Sequence, residues 1–329
     1  MEKLPVEAWH WFAFGAFVVT VLVLDLGVFH RHSRETSLRE AGIWTAIWCS
    51  LALVFNGIIW AWGGDRPATE FLTGYLIEWS LSMDNVFVFA VIFSFFRVPK
   101  KYQYRVLFWG ILGAVLMRLA FVLLGAALID RFHWLIYVLG AFLVYTGIKL
   151  VFHDESVDPE HSWVLRSARR WFNVSKEHHG EQFFVREEGK FCVTPLFLVL
   201  LVVETTDVAF AVDSVPAIFS ITKDPFIVFT SNIFAILGLR ALYFLLAGVM
   251  DLFRYLRYGL SAILTFVGIK MLIEHWVKIP PWLSLIVVLS LLAISIIASL
   301  IAARRDPRTP ADVPVELDQE SSHPGPPTG

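Results

Sequence analysis

The sequence predicts an all-α polytopic membrane protein of about nine transmembrane helices, with an inverted repeat of three plus three. Three observations predict it. Apolar residues make up 57% of the 329 and charged residues only 17%, against about 45–50% and about 25% in soluble domains. Nine segments each approach the roughly 20 apolar residues that a spanning helix needs. The Lys and Arg residues fall on alternate loops, eighteen on one side and five on the other; the remaining four of the 27 lie inside spans.

The spans follow in order. Segment 10–30 carries Asp25 and lacks a small-x-small cleavage site, so it reads as a first span rather than a signal peptide. With segment 41–62 it makes an N-terminal two-helix extension over 1–70. Segments 71–96, 105–129 and 134–152 form the first repeat, 71–152. A cytoplasmic loop, 153–191, follows. Within it Trp163–Phe172 is basic and aromatic, as a short interfacial helix would be, and Phe183–Val193 reads as a hairpin. Segments 192–220, 226–250 and 257–276 form the second repeat, 192–276. Pro216 and its polar neighbours favour a break in the first of these three. A last span, 281–303, lies in 277–305. The Pro-rich tail 306–329 has the composition of a disordered segment. Lys and Arg concentrate on cytoplasmic loops, which sets the N-terminus outside and the C-terminus in the cytoplasm. A net charge of −2 gives no footprint for nucleic acid, and two cysteines, Cys49 and Cys192, make no disulfide framework.

Acids stand inside two spans. Glu78 is followed by Asp84-Asn85-Val86, and Glu204-Thr-Thr-Asp207 by Asp213-Ser214-Val215. An ionisable group at bilayer depth costs about 2.5–3.5 kcal/mol on insertion scales, so it marks function by default. The motifs recur within a longer pattern. Arg118-Leu-Ala-Phe-Val-Leu-Leu matches Arg240-Ala-Leu-Tyr-Phe-Leu-Leu, and Gly147-Ile-Lys149 matches Gly268-Ile-Lys270. Each unit holds three spans, an odd number, so the second enters from the opposite face. That is the inverted repeat of many secondary transporters, whose sites lie at the repeat interface. Glu204 has no acidic counterpart; its place in the first unit falls on Tyr75.

The intramembrane acids are Asp25, Glu78, Asp84, Glu204, Asp207 and Asp213, and the bases are Arg118, Lys149, Arg240 and Lys270. Six acids exceed four bases, and a divalent cation or two protons would balance them. Glu78 and Asp84 are six apart, and so are Asp207 and Asp213. On a continuous helix that is about 120° off one face, so each helix is unwound there or its acids face different parts of the bundle. Lys149 and Lys270 stand near helix ends, where they can snorkel. Arg118 and Arg240 lie mid-span and serve to hold carboxylates or carbonyls. Asn232 is a polar group for the site, and Asn56 is better suited to a helix–helix hydrogen bond.

Carboxylate, amide and carbonyl oxygens, with Asn85 and Ser214 beside the acids, suit Mg, Ca or Mn rather than Zn or Cu. His30, His32, His178 and His179 read as solvated loop residues. There is no phosphate loop, no Ser/His/Asp arrangement and no H-E-x-x-H. The chain is therefore read as a non-enzyme with no permanently bound cofactor.

Phe71-Leu-Thr-Gly-Tyr-Leu-Ile-Glu78 through Asp84-Asn85-Val86-Phe87, and Val203-Glu204-Thr-Thr-Asp207 through Asp213-Ser214-Val-Pro216, resemble the two signatures of TerC family membrane proteins. So do Leu24-Asp25-Leu, Phe183-Phe-Val-Arg, and Asp224-Pro-Phe-Ile-Val through Arg240. The likeness covers roughly 10–300 and is closest to the Alx subgroup. It implies a bacterial inner-membrane protein of manganese export and metal homeostasis, with Glu78, Asp84, Glu204, Asp207 and Asp213 handling the cation. The family name records tellurium resistance, although an acidic pocket repels the tellurite anion. Trp79 departs from the Lys expected after the first Glu, which leaves the site more acidic.

The expectation is a secondary transporter exporting a divalent cation, Mn²⁺ foremost, coupled to protons. The alternative is a membrane scaffold that recruits protein partners through the 153–191 loop.

Overall fold

The computed structural model describes residues 4–29, 37–132, 134–152, 170–175, 180, 182–187, 190–247 and 255–305, with the side chains of 25–29, Asp84, Lys190, Ala247 and 303–305 left out. Most of the predicted interfacial helix, the four loop histidines and the tail 306–329 lie outside these residues.

Among the described residues nine helices and one hairpin form. They are α1 (Ala8–Phe29), α2 (Leu38–Gly63), α3 (Asp65–Phe95), α4 (Lys100–Arg131), α5 (Leu135–Phe152), β1 (Phe184–Glu187), β2 (Lys190–Val193), α6 (Pro195–Phe219), α7 (Pro225–Ala247), α8 (Leu256–Ile273) and α9 (Pro281–Arg305). Eight of the helices are long and apolar enough to cross a membrane. In α1 the described apolar stretch, Ala8–Leu24, is shorter. The chain is thus an all-α, multi-pass integral membrane protein, with the ninth span resting on the sequence.

Local chemistry sets the helix starts. Ser37 caps α2 by accepting from the Glu40 amide at 3.2 Å, the start of a capping box. Thr194 caps α6 and accepts from the Phe197 amide, with Pro195 in the first turn. Asp224 caps α7, accepting from Phe226 N at 2.9 Å, while its other oxygen accepts from Leu4 N at 3.0 Å.

The predicted break in the sixth span does not occur. Helix α6 runs unbroken from Pro195 to Phe219, and Pro216 falls in its last turn. A proline there removes a single i−4 bond and leaves the rest of the ladder intact. Helix α3 is likewise continuous through Glu78 and Asp84. On α6 the paired acids face different parts of the bundle: Asp207 is buried among the helices and Asp213 reaches Thr146 of α5.

Helix α7 is the centre, buried along its whole spanning stretch. It packs against α2, α3 and α4, while α4 also packs on α6 and α5 packs chiefly on α8. Trp11 and Phe14 of α1 lie against Phe226 and Phe229 of α7. At the α5–α8 seam, backbones touch. A Cβ on Gly268 would lie 2.7 Å from Gly140 O, and one on Gly147 would lie 2.9 Å from Ser261 O. Ser261 Oγ donates to Gly147 O at 2.5 Å. Small residues admit such approach in membranes, where packing rather than water drives helix association.

Candidate functional site

Helices α3, α4, α6 and α7 converge on Arg118, which is fully buried. Its Nη1 stands 2.7 Å from Glu78 Oε1 as an ion pair with no exposed side-chain surface on the acid. It donates to Ser214 Oγ at 2.5 Å and to Asn232 Oδ1. Asn232 Nδ2 in turn donates to Val228 O at 3.1 Å, one turn back on α7, which turns the amide oxygen toward Arg118. Asp207, also buried, interacts electrostatically with both Arg118 and Glu78.

This centre is acid-rich. One guanidinium faces two carboxylates. Glu78 Oε1 is held by Arg118, while Glu78 Oε2, Asp207 Oδ2 and Ser82 Oγ on α3 are buried without a hydrogen-bond partner among the described residues. A buried polar atom left without a partner costs about 1–3 kcal/mol, more when charged. Beside Asp207 lies a cavity of about 10 Å³, walled by Phe89, Leu107, Gly110, Ala114, Val203 and Leu239. That is room for one water-sized sphere.

The other predicted site residues lie around this centre. Glu204, half-buried, shares electrostatic contact with Asp207, and its carboxylate rests against the Cα of Gly113 on α4. Asp213, half-buried, accepts from Thr146 Oγ1 of α5 at 3.4 Å. Asn85 is buried on α3. Arg240, on α7, stacks over the Tyr104 ring at 4.5 Å and donates to its hydroxyl at 3.0 Å. The side chains of Asp25 and Asp84 lie outside the described residues. Among those described, no three Asp, Glu, His or Cys side chains stand together as a ready metal cage. What the fold does gather is Glu78, Asp207 and Ser214 around Arg118 and Asn232.

Two expectations are corrected. Lys270 does not snorkel: it is buried in the last turn of α8, in electrostatic contact with Glu274 and Glu70. Lys149 is half-buried in the last turn of α5. The carbonyl oxygen of Asn56 is buried without the helix–helix hydrogen bond expected of it. Gly113, Thr146 and Tyr104 were not singled out by sequence, because each matters only through the helix that faces it.

The chain matches the integral membrane protein TerC family over residues 64–307. A membrane protein of Myxococcus xanthus, STKORF319, is 53% identical over 305 residues, 92% of this chain and 96% of that protein. A protein of Escherichia coli K12 described as a candidate membrane-bound redox modulator, Alx, is 45% identical over 297 residues, 87% of this chain and 92% of its own. A Photorhabdus laumondii Alx is 45% identical over 301 residues, 88% of this chain and 94% of that protein. No solved structure matches. The matched region holds both acid motifs, both buried arginines and α3 to α9, and on that ground the chain belongs to the TerC family of integral membrane proteins.

Proposed function

We propose that this chain is a secondary transporter that exports a divalent metal cation, Mn²⁺ foremost, from the bacterial cytoplasm in exchange for protons. The observation that carries the reading is the buried pair Glu78 and Asp207, with two carboxylate oxygens that accept no hydrogen bond and one guanidinium facing two acids. Oxygen donors of this kind suit a hard cation, which also supplies the charge that Arg118 alone does not. Asp84 and Asp213 each stand six residues further along the same helices and serve as entry and exit ligands. Protonation of the acids releases the ion.

The packing supports the inverted repeat. With α3, α4 and α5 matched to α6, α7 and α8, the contact of α3 with α7 has its counterpart in α6 with α4. At the α5–α8 seam, Gly147 corresponds to Gly268 and Gly140 to Ser261. The seam pairs Gly147 with Ser261 and Gly268 with Gly140, the exchange a two-fold axis produces. In this reading the N-terminus is outside the inner membrane and the C-terminus is in the cytoplasm.

The test is Mn²⁺ efflux from loaded vesicles carrying Asp84→Asn, Asp207→Asn or Asp213→Asn. Each is expected to abolish efflux while the protein still inserts. Efflux that survives all three overturns the reading and leaves the partner-recruiting scaffold, or the redox role named for the Alx relatives, in its place.

A further inference from the structure

The hairpin before α6 presents a face that the fold leaves uncovered. In the β1–β2 register Phe184 pairs with Val193, Val185 with Cys192 and Arg186 with Phe191. Side chains alternate across a strand and opposed residues share a face. Phe184, Arg186, Phe191 and Val193 therefore project together, and Val185 and Cys192 project to the other side. Cys192 is buried, and so is Val193 at the α6 end of the first face. The rest of the first face is open. Phe191 is 60% exposed and its ring lies 5.4 Å from that of Phe184, nearly parallel.

A second segment extends the open face. Residues 173–175 lie along β2, with Val193 N donating to Asn173 O and Ser175 N donating to Val193 O. Just ahead of them stand Trp171, 82% exposed, and Phe172, whose ring packs on Phe197 of α6. Phe184 packs on the same ring at 4.8 Å. Phe197 is in the first turn of a spanning helix, so the patch sits where that helix enters the bilayer. The exposed charges described on and beside it are basic. Arg170 and Arg186 are exposed on the patch, and Arg97, Lys100 and Lys101 are exposed on the α3–α4 turn. Gly180, which leads into the hairpin, lies beside Tyr102 of α4 and joins the two. Glu187 is turned away and accepts from Ser175 Oγ.

From this we infer that the hairpin is an interfacial anchor for anionic lipid: Trp171, Phe172, Phe184 and Phe191 lie in the headgroup layer beside α6, and Arg170 and Arg186 bind lipid phosphates. Large contiguous aromatic surface on a protein marks an interaction site. Aromatic rings favour the membrane–water interface, and basic residues there favour the anionic cytoplasmic leaflet. The patch continues the lipid-facing surface that the spanning helices already present, so no separate partner is required to cover it. The inference stands apart from the transport reading, because it holds whether or not the acids carry a cation.

Hydrogen–deuterium exchange on the full chain in lipid nanodiscs tests it. Discs of phosphatidylcholine alone are compared with discs of phosphatidylcholine and phosphatidylglycerol, following peptides over 183–193. Slower exchange is expected in the anionic discs, with α7 peptides unchanged. Arg170→Gln and Arg186→Gln are each expected to remove about fivefold of that protection. Trp171→Ser with Phe191→Ser removes the protection that the two lipids share. Equal exchange in both discs overturns the inference. So does protection by inorganic phosphate in zwitterionic discs, or protection that appears only when a cytosolic protein fraction is added. Protection unaffected by all four substitutions assigns the face to the chain's own 153–169 segment and overturns it as well.

Discussion

In the proposed repeat Arg118 and Arg240 correspond, yet their described contacts differ. Arg118 is held by a carboxylate, a serine and an asparagine oxygen, with no exposed surface. The described contacts of Arg240 include an aromatic face and its phenol. The matching frames place the two cations alike, and the facing helices decide what each cation meets. Asn232 of α7 stands by Arg118, and the place that corresponds to it on α4 is Gly110, which has no polar side chain and packs on Val203 instead. Among the described residues a shared framework thus carries unlike neighbours, and the carboxylate oxygens without hydrogen bonds lie around Arg118.

The largest expected effect removes Arg118. Arg118→Met strands Glu78 in the core, and breaking a buried pair this way costs about 3–5 kcal/mol. Thermal unfolding of the detergent-solubilised protein should show it, and Glu78→Gln in the same background should recover part of the loss. If Arg118→Met proves no worse than a lesion at Tyr104, the two halves are alike and the contrast fails. Next comes the seam. Gly268→Ala places a methyl 2.7 Å from Gly140 O, a backbone atom that cannot turn aside. A loss of about 1–3 kcal/mol is expected from such overpacking, read in the same unfolding experiment. Tyr104→Phe keeps the ring over Arg240 and removes one hydrogen bond, for about 1 kcal/mol. Smallest is Gly113→Ala. The methyl meets only the far end of the Glu204 side chain, which can swing, and the helix gains about 0.8–1.0 kcal/mol in propensity. Stability should hardly move, while Mn²⁺ efflux should fall, since the carboxylate loses its seat.

Much of the fold was legible because lipid imposes simple rules. Long apolar runs gave helix ends within a few residues; α4 was expected over 105–129 and runs Lys100–Arg131. The Phe183–Val193 hairpin appears with Lys190 opposite Glu187. Pro216 was misjudged although the predicted span, 192–220, already put it near the end, where the loss of one i−4 bond leaves the ladder before it intact. The acids were legible as charges in lipid, but their partners were not. Nothing local to Glu78 points to Arg118, 40 residues on, or to Ser214 on another helix. Lys270 was expected to reach water because a long side chain near a helix end usually does; in the fold it is buried, within electrostatic reach of Glu274 and of Glu70, 200 residues away.

One feature bears on motion. At the seam where Gly140 meets Gly268, main chain comes against main chain, with Val144, Met271 and Leu272 packed close around the contact and Ser261 bonded to the Gly147 carbonyl. Such a joint is a rivet rather than a bearing. To turn α5 on α8 would lift those side chains from their seats and break that bond. Any rearrangement around the acids is therefore easier in the helices on either side than at the seam between them.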